Sequence, residues 1–403
     1  MKLGQQHFIR AAHKAWRLLP RELRRQAMTG IAARLARKPD AHPPRVSRGI
    51  IIAGDNATTN GLAESARLMH QVIAQQGLAR GFVPLGLPGS VTENRTQVPA
   101  DAALLAVVNA PILPVGLLRL PRDFIARRRV IGLWAWELPE VPRSWVDGAR
   151  FVHEIWAPSR FTAAALEPLA PGRVRVVAHP LAAVELPVAG NRASLGLPAD
   201  ALVVLTVFNL ASSMVRKNPL GTIATFKAAF GARADVIFVL KLSGTQAYPQ
   251  DLAIIRAAIG NAPNIRLISQ TLPEPDLRGL IAASDIILSL HRSEGFGLIP
   301  ATAMLLGKAV VATGWSGNLD FMTPETSALI SYRLIPALDP RGTYQFPNSH
   351  WADPDVEDAA SRLRALAEDP TLRQEMARAG QAHARRVLGA EPVLAALAAN
   401  GIV

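Results

Sequence analysis

Residues 286–313 read IILSLHRSEGFGLIPATAMLLGKAVVAT and are the most informative segment of the chain for its fold. A short apolar strand is followed by a carboxylate, two glycines, an apolar helix and a second strand. This order is typical of a doubly wound parallel sheet, which binds ligands beyond the carboxyl ends of its strands. Free amides at the start of the helix suit phosphate, whereas the carboxylate of Glu294 would repel phosphate and suits sugar hydroxyls. The alternative is a glycine turn in which Glu294 only caps the helix.

The same alternation of strand and helix extends over two series of segments. It predicts an α/β fold with two doubly wound domains, an N-terminal one over residues 46–185 and a C-terminal one over residues 190–370. The natural active site is the cleft between them. The expected strands lie at residues 50–53, 103–108, 129–134, 151–157 and 173–178, then at 201–208, 236–242, 265–269, 286–290 and 309–313.

The composition excludes several classes of protein. The chain has 403 residues, enough for two domains, and its 49% hydrophobic and 19% charged residues exclude wholesale disorder. It has no cysteine, which excludes disulfides, thiolate metal sites and a cysteine nucleophile. The nine histidines show no metal-binding spacing. The string Asp353-Pro354-Asp355 precedes a helix, where capping explains it better than a metal does.

The net charge of +13 is concentrated at the N-terminus. Residues 1–50 hold 12 basic and 2 acidic residues, a net of +10. The other 353 residues hold 32 basic and 29 acidic residues, a net of +3. A general nucleic-acid-binding surface would spread its charge over a domain face, so no nucleic-acid partner is predicted.

Residues 5–38 are expected to form two amphipathic helices, divided at Pro20, within a basic helical extension over residues 1–45. An apolar stripe surrounded by cations favours binding to an anionic membrane surface. Two alternatives stay open: a helix that packs on its own domain, and a transit peptide. Residues 39–48 are expected to form a linker. The stripe consists of Phe8, Ala12, Ala15, Trp16, Leu19, Leu23, Ala27, Ile31 and Leu35.

A second polar loop follows the strand at residues 201–208. It begins with Asn209, Ser212 and Ser213 and continues with the adjacent cations Arg216 and Lys217. Two cations near the start of a helix can neutralise the charge of a diphosphate leaving group. The alternative is a basic turn that faces solvent.

Several of these motifs together resemble one protein family. The Glu294-Gly-Phe-Gly-Leu loop, the segments 307–313 and 316–318, and the Arg216-Lys217 pair resemble the donor site of retaining family-4 (group 1) glycosyltransferases. Residues 61–64, Gly-Leu-Ala-Glu, resemble the N-terminal glycine loop of that family. Residues 134–139 and 154–159 are similar to a bacterial polysaccharide and lipopolysaccharide subgroup. The resemblance covers about residues 50–385.

The resemblance implies a GT-B fold, with two Rossmann-like domains and a C-terminal helix, about residues 375–403, that crosses back onto the N-terminal domain. It implies a nucleotide-diphosphate sugar as co-substrate, no cofactor and no tightly bound metal. Glu294, Arg216 and Lys217 are the implied catalytic residues: Glu294 contacts hydroxyls of the transferred sugar, and the two cations stabilise the leaving diphosphate. The implied donor contacts are Asn209, Ser212, Gly295, Phe296, Gly297, Leu298, Thr302 and Gly61.

One position departs from the family pattern. A second glutamate normally stands eight residues after the first and holds the ribose hydroxyls, but here that position is Thr302. Threonine is shorter and cannot accept from two hydroxyls as a carboxylate does. Three explanations compete: the ribose is held through water or another residue, activity is weak or lost, or the donor carries a deoxyribose, as in dTDP-sugars.

The candidate acceptor residues are Trp136, Glu137 and His153. A tryptophan beside a carboxylate at a strand end suits sugar stacking and hydroxyl recognition, although Trp134 and Trp136 also fit a core position. His153 is a candidate base near the expected cleft, with a structural histidine as the alternative. His291 has a better claim because it adjoins Glu294.

These observations predict a retaining, metal-independent glycosyltransferase of bacterial cell-surface polysaccharide assembly. It would act on a glycan or lipid-linked acceptor in the cytoplasm, at the inner face of the cytoplasmic membrane. The main alternative is a non-catalytic GT-B protein that binds nucleotide-sugar or glycan and has lost turnover with the second glutamate. A nucleic-acid-binding protein is suggested by charge alone. A dinucleotide oxidoreductase lacks its glycine fingerprint here.

Overall fold

Two parallel six-stranded sheets form the framework of the molecule. The computed structural model describes residues 21–46, 49–55, 60–86 and 98–402. The first of the two expected N-terminal helices, at residues 5–19, lies outside the described residues. Both series of strands that the sequence predicts are present, each as one parallel sheet.

The first sheet has the strand order β2-β1-β3-β4-β5-β6. Strands β1 and β3 are continuous apolar runs that are buried along their whole length, as expected of a parallel sheet covered on both faces. Helix α2 begins where the side chain of Asn60 accepts from the amide of Ala63. The elements are α1 (Arg21–Leu35), β1 (Ile50–Gly54), α2 (Gly61–Gln75), β2 (Ala79–Pro84), β3 (Ala103–Val107), α3 (Leu113–Leu117), β4 (Val130–Leu133), β5 (Glu154–Ala157), α4 (Arg160–Leu166) and β6 (Val174–Val176).

The second sheet has the strand order β12-β11-β10-β7-β8-β9. Its longest pairing runs from Leu202↔Val236 to Asn209↔Ser243, so β7 and β8 end side by side. The elements are β7 (Leu202–Asn209), α5 (Met214–Lys217), α6 (Pro219–Phe230), β8 (Val236–Ser243), α7 (Pro249–Ile259), β9 (Ile265–Ile268), α8 (Glu274–Ala283), β10 (Ile286–Ser289), α9 (Leu298–Leu305), β11 (Ala309–Thr313) and β12 (Ala328–Ile330).

A hairpin that the sequence analysis did not predict follows the second sheet. Strands β13 (Tyr332–Pro336) and β14 (His350–Pro354) pair antiparallel, and we call residues 332–354 the arm. The side chains of β13 are largely exposed, so the strand carries no buried pattern that a sequence analysis could detect. Asp355 caps the next helix as predicted, whereas Asp353 lies on β14 and forms ion pairs with Arg292 and Arg333.

Three helices complete the chain: α10 (Val356–Glu368), α11 (Pro370–Val387) and α12 (Glu391–Ala399). Apolar residues of α12, among them Val393 and Leu397, share a buried cluster with Ile50 and Ile52 of the first sheet. The last helix therefore packs on the N-terminal half of the molecule. None of the helices described in the structure is both long enough and apolar enough to cross a membrane.

Helix α1 packs on the first sheet's domain. Ala32 and Ala36 are buried, and Ala36 belongs to the core of that domain. The amide of Asp40, in the expected linker, donates to the carbonyl of Ala126. The structure therefore shows the alternative in which the helix packs on its own domain. Only part of the α1 surface is buried in this way, and another part is exposed.

Candidate functional site

A cavity of about 430 Å³ lies where the carboxyl ends of the two sheets meet. Its walls include the start of α2, the loops after β4, β5, β7 and β10, and the first turn of α9. This is the position expected for a ligand site between two doubly wound domains. The predicted site residues that line it are Gly61, Glu137, Asn209, Ser212, Arg216, Lys217, Glu294, Gly295, Phe296, Gly297, Leu298 and Thr302.

The centre of the cavity is a buried cluster of charges. Arg216 donates from Nη1 to the carbonyl of Ser293 at 2.7 Å and lies 3.3 Å from the carboxylate of Glu294. Lys217 forms an ion pair with the same carboxylate. Glu137, from the first half of the chain, lies 3.8 Å from Arg216. Two cations and two carboxylates from distant segments thus meet at one point.

Neighbouring charges keep Glu294 and Arg216 ionised despite burial. Burial favours the neutral form of Glu294, but Lys217 and Arg216 lower its pKa to about 2. Burial also opposes the charge of Arg216, yet Tyr344, Glu137 and Glu294 keep its pKa above the ordinary range. For Lys217, burial outweighs the nearby carboxylate and lowers the pKa. At neutral pH Glu294 is therefore an anion that can accept hydrogen bonds from hydroxyls.

Within the described ranges, one buried hydrogen-bond donor of Arg216 is unpaired. Its Nε has no hydrogen-bond partner among the residues that the structure describes. Buried polar atoms are normally paired, so this donor marks a place where an anionic ligand can be held. The alternative of a solvent-facing basic turn is excluded, because Arg216 is buried.

The loop that carries the two cations is held by polar contacts. Ser213 and Asn218 flank α5 with positive φ angles of 69° and 52°. Such angles are costly for residues other than glycine, so surrounding contacts must maintain them. The hydroxyl of Ser213 donates to Asp339 of the arm at 3.2 Å, and the side-chain amide of Asn218 donates to the carbonyl of Leu290 at 3.0 Å.

The glycine loop before α9 depends on close backbone contacts. Gly297 has a φ of +100° and precedes the first residue of α9, with no side-chain cap. The alternative role of Glu294 as a helix cap is therefore wrong. A Cβ atom on Gly317 would lie 2.2 Å from the carbonyl oxygen of Gly295, so only glycine permits this approach.

Polar contacts join the glycine loop to the first half of the molecule. The hydroxyl of Ser159 donates to the carbonyl of Gly295 at 2.6 Å. The hydroxyl of Thr162 also reaches the carbonyl of Gly295, at 3.1 Å. The amide of Arg160 donates to Asp320 at 2.8 Å. These contacts close the cleft beside the charged cluster.

Trp136 occupies a core position and does not line the cavity. Its indole N–H donates to the carbonyl of Glu140 at 2.6 Å, and its ring centroid lies 5.1 Å from that of Trp145 and 5.5 Å from that of Tyr344. Trp134 is fully buried. The core interpretation of both tryptophans is the one that the structure shows, because a buried ring cannot stack on a sugar.

Glu137 does face the cavity, but it is not free. It accepts from the hydroxyl of Tyr344 at 3.2 Å, and the ring of Tyr344 lies 5.3 Å from the guanidinium carbon of Arg216. The arm thus inserts an aromatic ring between the two halves of the site. Among the cavity residues that sequence analysis missed, Asn109 follows β3 and binds the backbone of Ala135.

His153 lies away from the cleft, so the prediction that placed it there is wrong. It precedes β5, at the amino end of the sheet. Its Nδ1 accepts from the amide of Val130 at 2.9 Å, and its Nε2 donates to the carbonyl of Asp40 at 2.8 Å. The structural alternative explains this residue. His291 is also buried, hydrogen-bonded to Ser289 and Asn318.

His179 lines the cavity and was missed by the sequence analysis. It is buried, its Nε2 lies 3.3 Å from the hydroxyl of Ser65, and its ring meets Phe296 edge-on at 4.7 Å. Its Nδ1 has no hydrogen-bond partner within the described part of the chain. Its position just after β6, at the carboxyl edge of the sheet, was the signal that could have found it.

His179 is expected to make folding stability depend on pH. Burial lowers its pKa to about 4, against an ordinary value of 6.5, so the unfolded chain binds the proton more readily. Stability is therefore present above pH 6.5 and is lost as the pH falls toward 4. We expect urea unfolding to show a loss between pH 7 and pH 4.5 that is about 2 kcal/mol larger for the wild type than for His179→Asn. An equal loss in both proteins would contradict this assignment.

The wall around Thr302 also contains a carboxylate. Helix α8 presents Glu274, Leu277, Arg278 and Ile281 to the cavity, at the spacing of one helix face. Glu274 lies 3.3 Å from Arg278, and burial together with Glu64 raises its pKa. Glu274 therefore lines the same cavity as Thr302 and is a candidate for the other residue that the first explanation invokes.

A comparison with known protein families gives a match in the half of the chain that forms the second sheet. Residues 203–343 match the family model described as glycosyl transferases group 1. A curated relative, D-inositol 3-phosphate glycosyltransferase 1 of Catenulispora acidiphila, is 32% identical over 161 residues. That match spans 38% of this chain and 38% of the relative.

Solved structures resemble the fold over most of the chain. HepE of Anabaena in complex with UDP and glucose superposes with a TM-score of 0.62 at 16% identity, covering 88% of this chain and 99% of HepE. WaaG, a glycosyltransferase involved in lipopolysaccharide biosynthesis, gives 0.54 at 13% identity, covering 87% and 99%. The expected GT-B fold is confirmed. The described residues contain no group of three or more His, Cys, Asp or Glu side chains that could hold a metal.

Proposed function

We propose that the chain is a retaining glycosyltransferase that moves a sugar from a nucleotide-diphosphate sugar to a glycan or lipid-linked acceptor. The observation that carries the proposal is the meeting of Arg216, Lys217 and Glu294 in the cavity between the two sheets. Two cations suit the diphosphate, and the ionised carboxylate beside them suits sugar hydroxyls. The family match over residues 203–343 supports the same activity.

The proposed reaction uses the charges of the chain itself. The bond between the anomeric carbon and the diphosphate oxygen breaks, and its electron pair leaves with the diphosphate. Arg216 and Lys217 stabilise the charge that develops there. The acceptor hydroxyl attacks from the same face, and the leaving phosphate takes its proton. Glu294 holds hydroxyls of the transferred sugar, and neither a cofactor nor a tightly bound metal enters this proposal.

The proposed setting is bacterial cell-surface polysaccharide assembly, with the protein in the cytoplasm and peripheral on the inner face of the membrane. The names of two structural neighbours support a nucleotide-sugar donor and this setting, since HepE was solved with UDP and WaaG acts in lipopolysaccharide biosynthesis. The exposed apolar residues of α1, together with the exposed Arg34 at its end and Arg37 and Lys38 just after it, support membrane contact.

The test is nucleotide release from a panel of UDP-, GDP- and dTDP-sugars, with and without glycan acceptors. Turnover of one donor, with the anomeric configuration retained in the product, supports the proposal. The second candidate function is a non-catalytic nucleotide-sugar or glycan-binding protein, favoured by Thr302 in place of a second glutamate. Nucleotide binding without transfer or donor hydrolysis, across donors and acceptors, would favour that candidate.

Thr302 predicts a preference among nucleotides. If the position suits a deoxyribose, dTDP should raise the melting temperature at least as much as UDP or GDP, because less is required of the residue that faces the sugar ring. Thr302→Glu should shift the preference toward UDP, whose two ribose hydroxyls a carboxylate can accept. The measurement is a thermal-shift titration, with Thr302→Val as the control for lost polarity. Far stronger protection by UDP or GDP than by dTDP in the wild type would end the deoxyribose explanation.

A further inference from the structure

The outer face of α1 carries an exposed apolar stripe. Met28, Ile31 and Leu35 are 39%, 51% and 60% exposed, and their spacing places them on one side of the helix. Leu118, just after α3, is 47% exposed. Leu35 and Leu118 line the same open groove of about 340 Å³, together with Leu117, Leu120, Pro121 and Phe124. The stripe and the groove form one apolar surface built from two segments.

Cations surround this apolar surface. The exposed side chains are Arg34, Arg37 and Lys38, at the end of α1 and just after it, and Arg119, Arg122 and Arg127, beyond α3. Asp123 offsets one of them, because it pairs with Arg37 at 2.8 Å. Arg37 and Arg122 line the groove itself, so its apolar residues lie beside cations.

We propose that these residues, which we call the docking face, bind an anionic lipid bilayer. The docking face consists of Met28, Ile31, Leu35 and Leu118 with the six surrounding cations. Apolar side chains among cations match a bilayer interface, where the cations meet phosphate headgroups and the apolar groups enter the acyl boundary. The inference deepens the proposed function, on which it rests for the membrane-bound acceptor, by naming the surface that contacts the membrane.

The docking face is rigidly attached to the fold. Ala32 and Ala36, on the side of α1 next to the stripe, are buried, and Ala36 belongs to the first domain's core. A bilayer bound at Ile31 and Leu118 would therefore orient the whole first domain and not only a tethered tail. Because deletion of residues 1–45 would remove buried contacts, surface substitutions give the cleaner test.

The experiment is co-sedimentation of the full chain with vesicles of phosphatidylcholine and phosphatidylglycerol in a 70:30 ratio. We expect the wild type to bind these vesicles at least tenfold more tightly than pure phosphatidylcholine. Ile31→Glu/Leu118→Glu and Arg119→Glu/Arg122→Glu should each weaken binding at least tenfold. The matched control is Ile254→Glu/Arg256→Glu on α7, where Ile254 is 46% exposed beside an exposed arginine. This control should bind like the wild type.

Several outcomes would overturn the proposal. One is a wild type that does not bind the anionic vesicles, and another is a pair of docking-face variants that bind as well as the control. A wild-type dimer that the docking-face variants dissociate would show that a second copy occupies the surface. Melting temperatures within 2 °C of the wild type would verify folding of the variants. Donor turnover is measured separately without vesicles, so loss of the proposed activity and loss of membrane binding are distinguishable.

Discussion

Arg216→Ala is expected to lower donor turnover by about 100- to 1,000-fold, the usual loss when a preorganised donor to a developing charge is removed. Arg216 is buried, lies 3.3 Å from Glu294 and has a free buried Nε donor within the described structure. In the proposed mechanism, its removal takes away a charge that stabilises the leaving diphosphate. The measurement is nucleotide release at saturating donor.

The matched control for this prediction is Arg333→Ala in the same half of the chain. The side chain of Arg333 is 80% exposed and pairs only at the surface, with Asp353. We expect it to leave turnover unchanged. Arg216→Lys should restore part of the rate, because it keeps the charge but loses the planar fork. Full activity of Arg216→Ala, with the fold intact, would remove Arg216 from the proposed mechanism.

Trp136→Ala is expected to lower the free energy of unfolding by about 3–5 kcal/mol, the usual cost of deleting a buried tryptophan. Its ring packs against Trp145, Tyr344 and Phe346, which come from both halves of the chain. Urea unfolding measures the loss. The deletion should also weaken the contact between the arm and the first sheet.

The substitution Trp136→Phe distinguishes a role of Trp136 in core packing from a role in acceptor binding. It keeps an aromatic ring in the core and should cost clearly less stability than Trp136→Ala. If Trp136→Ala kept wild-type stability but lost only acceptor-dependent turnover, Trp136 would be an acceptor contact after all. The core position of Trp136 would then not explain its role.

The position of the arm could not be predicted from the sequence. Tyr344 and Trp351 follow the second sheet in the chain, yet they are buried in the core of the first sheet's domain. Nothing in the periodicity of residues 332–354 indicates this, because β13 is exposed and the contacts join residues about 200 positions apart. Only the folded chain shows that Tyr344 bridges Arg216 and Glu137.

The two sheets, most of their strands and the predicted cavity residues between Asn209 and Thr302 could be read from the amino-acid sequence. These features are local: apolar runs predict buried strands, and polar loops after parallel strands meet at one edge of a sheet. Three other features became clear only from the folded structure. It placed Trp136 in the core, His153 at the far end of its sheet and His179 in the cavity. The reason is physical, since burial and contact between distant segments depend on how the sheets and the arm pack, which residue spacing does not encode.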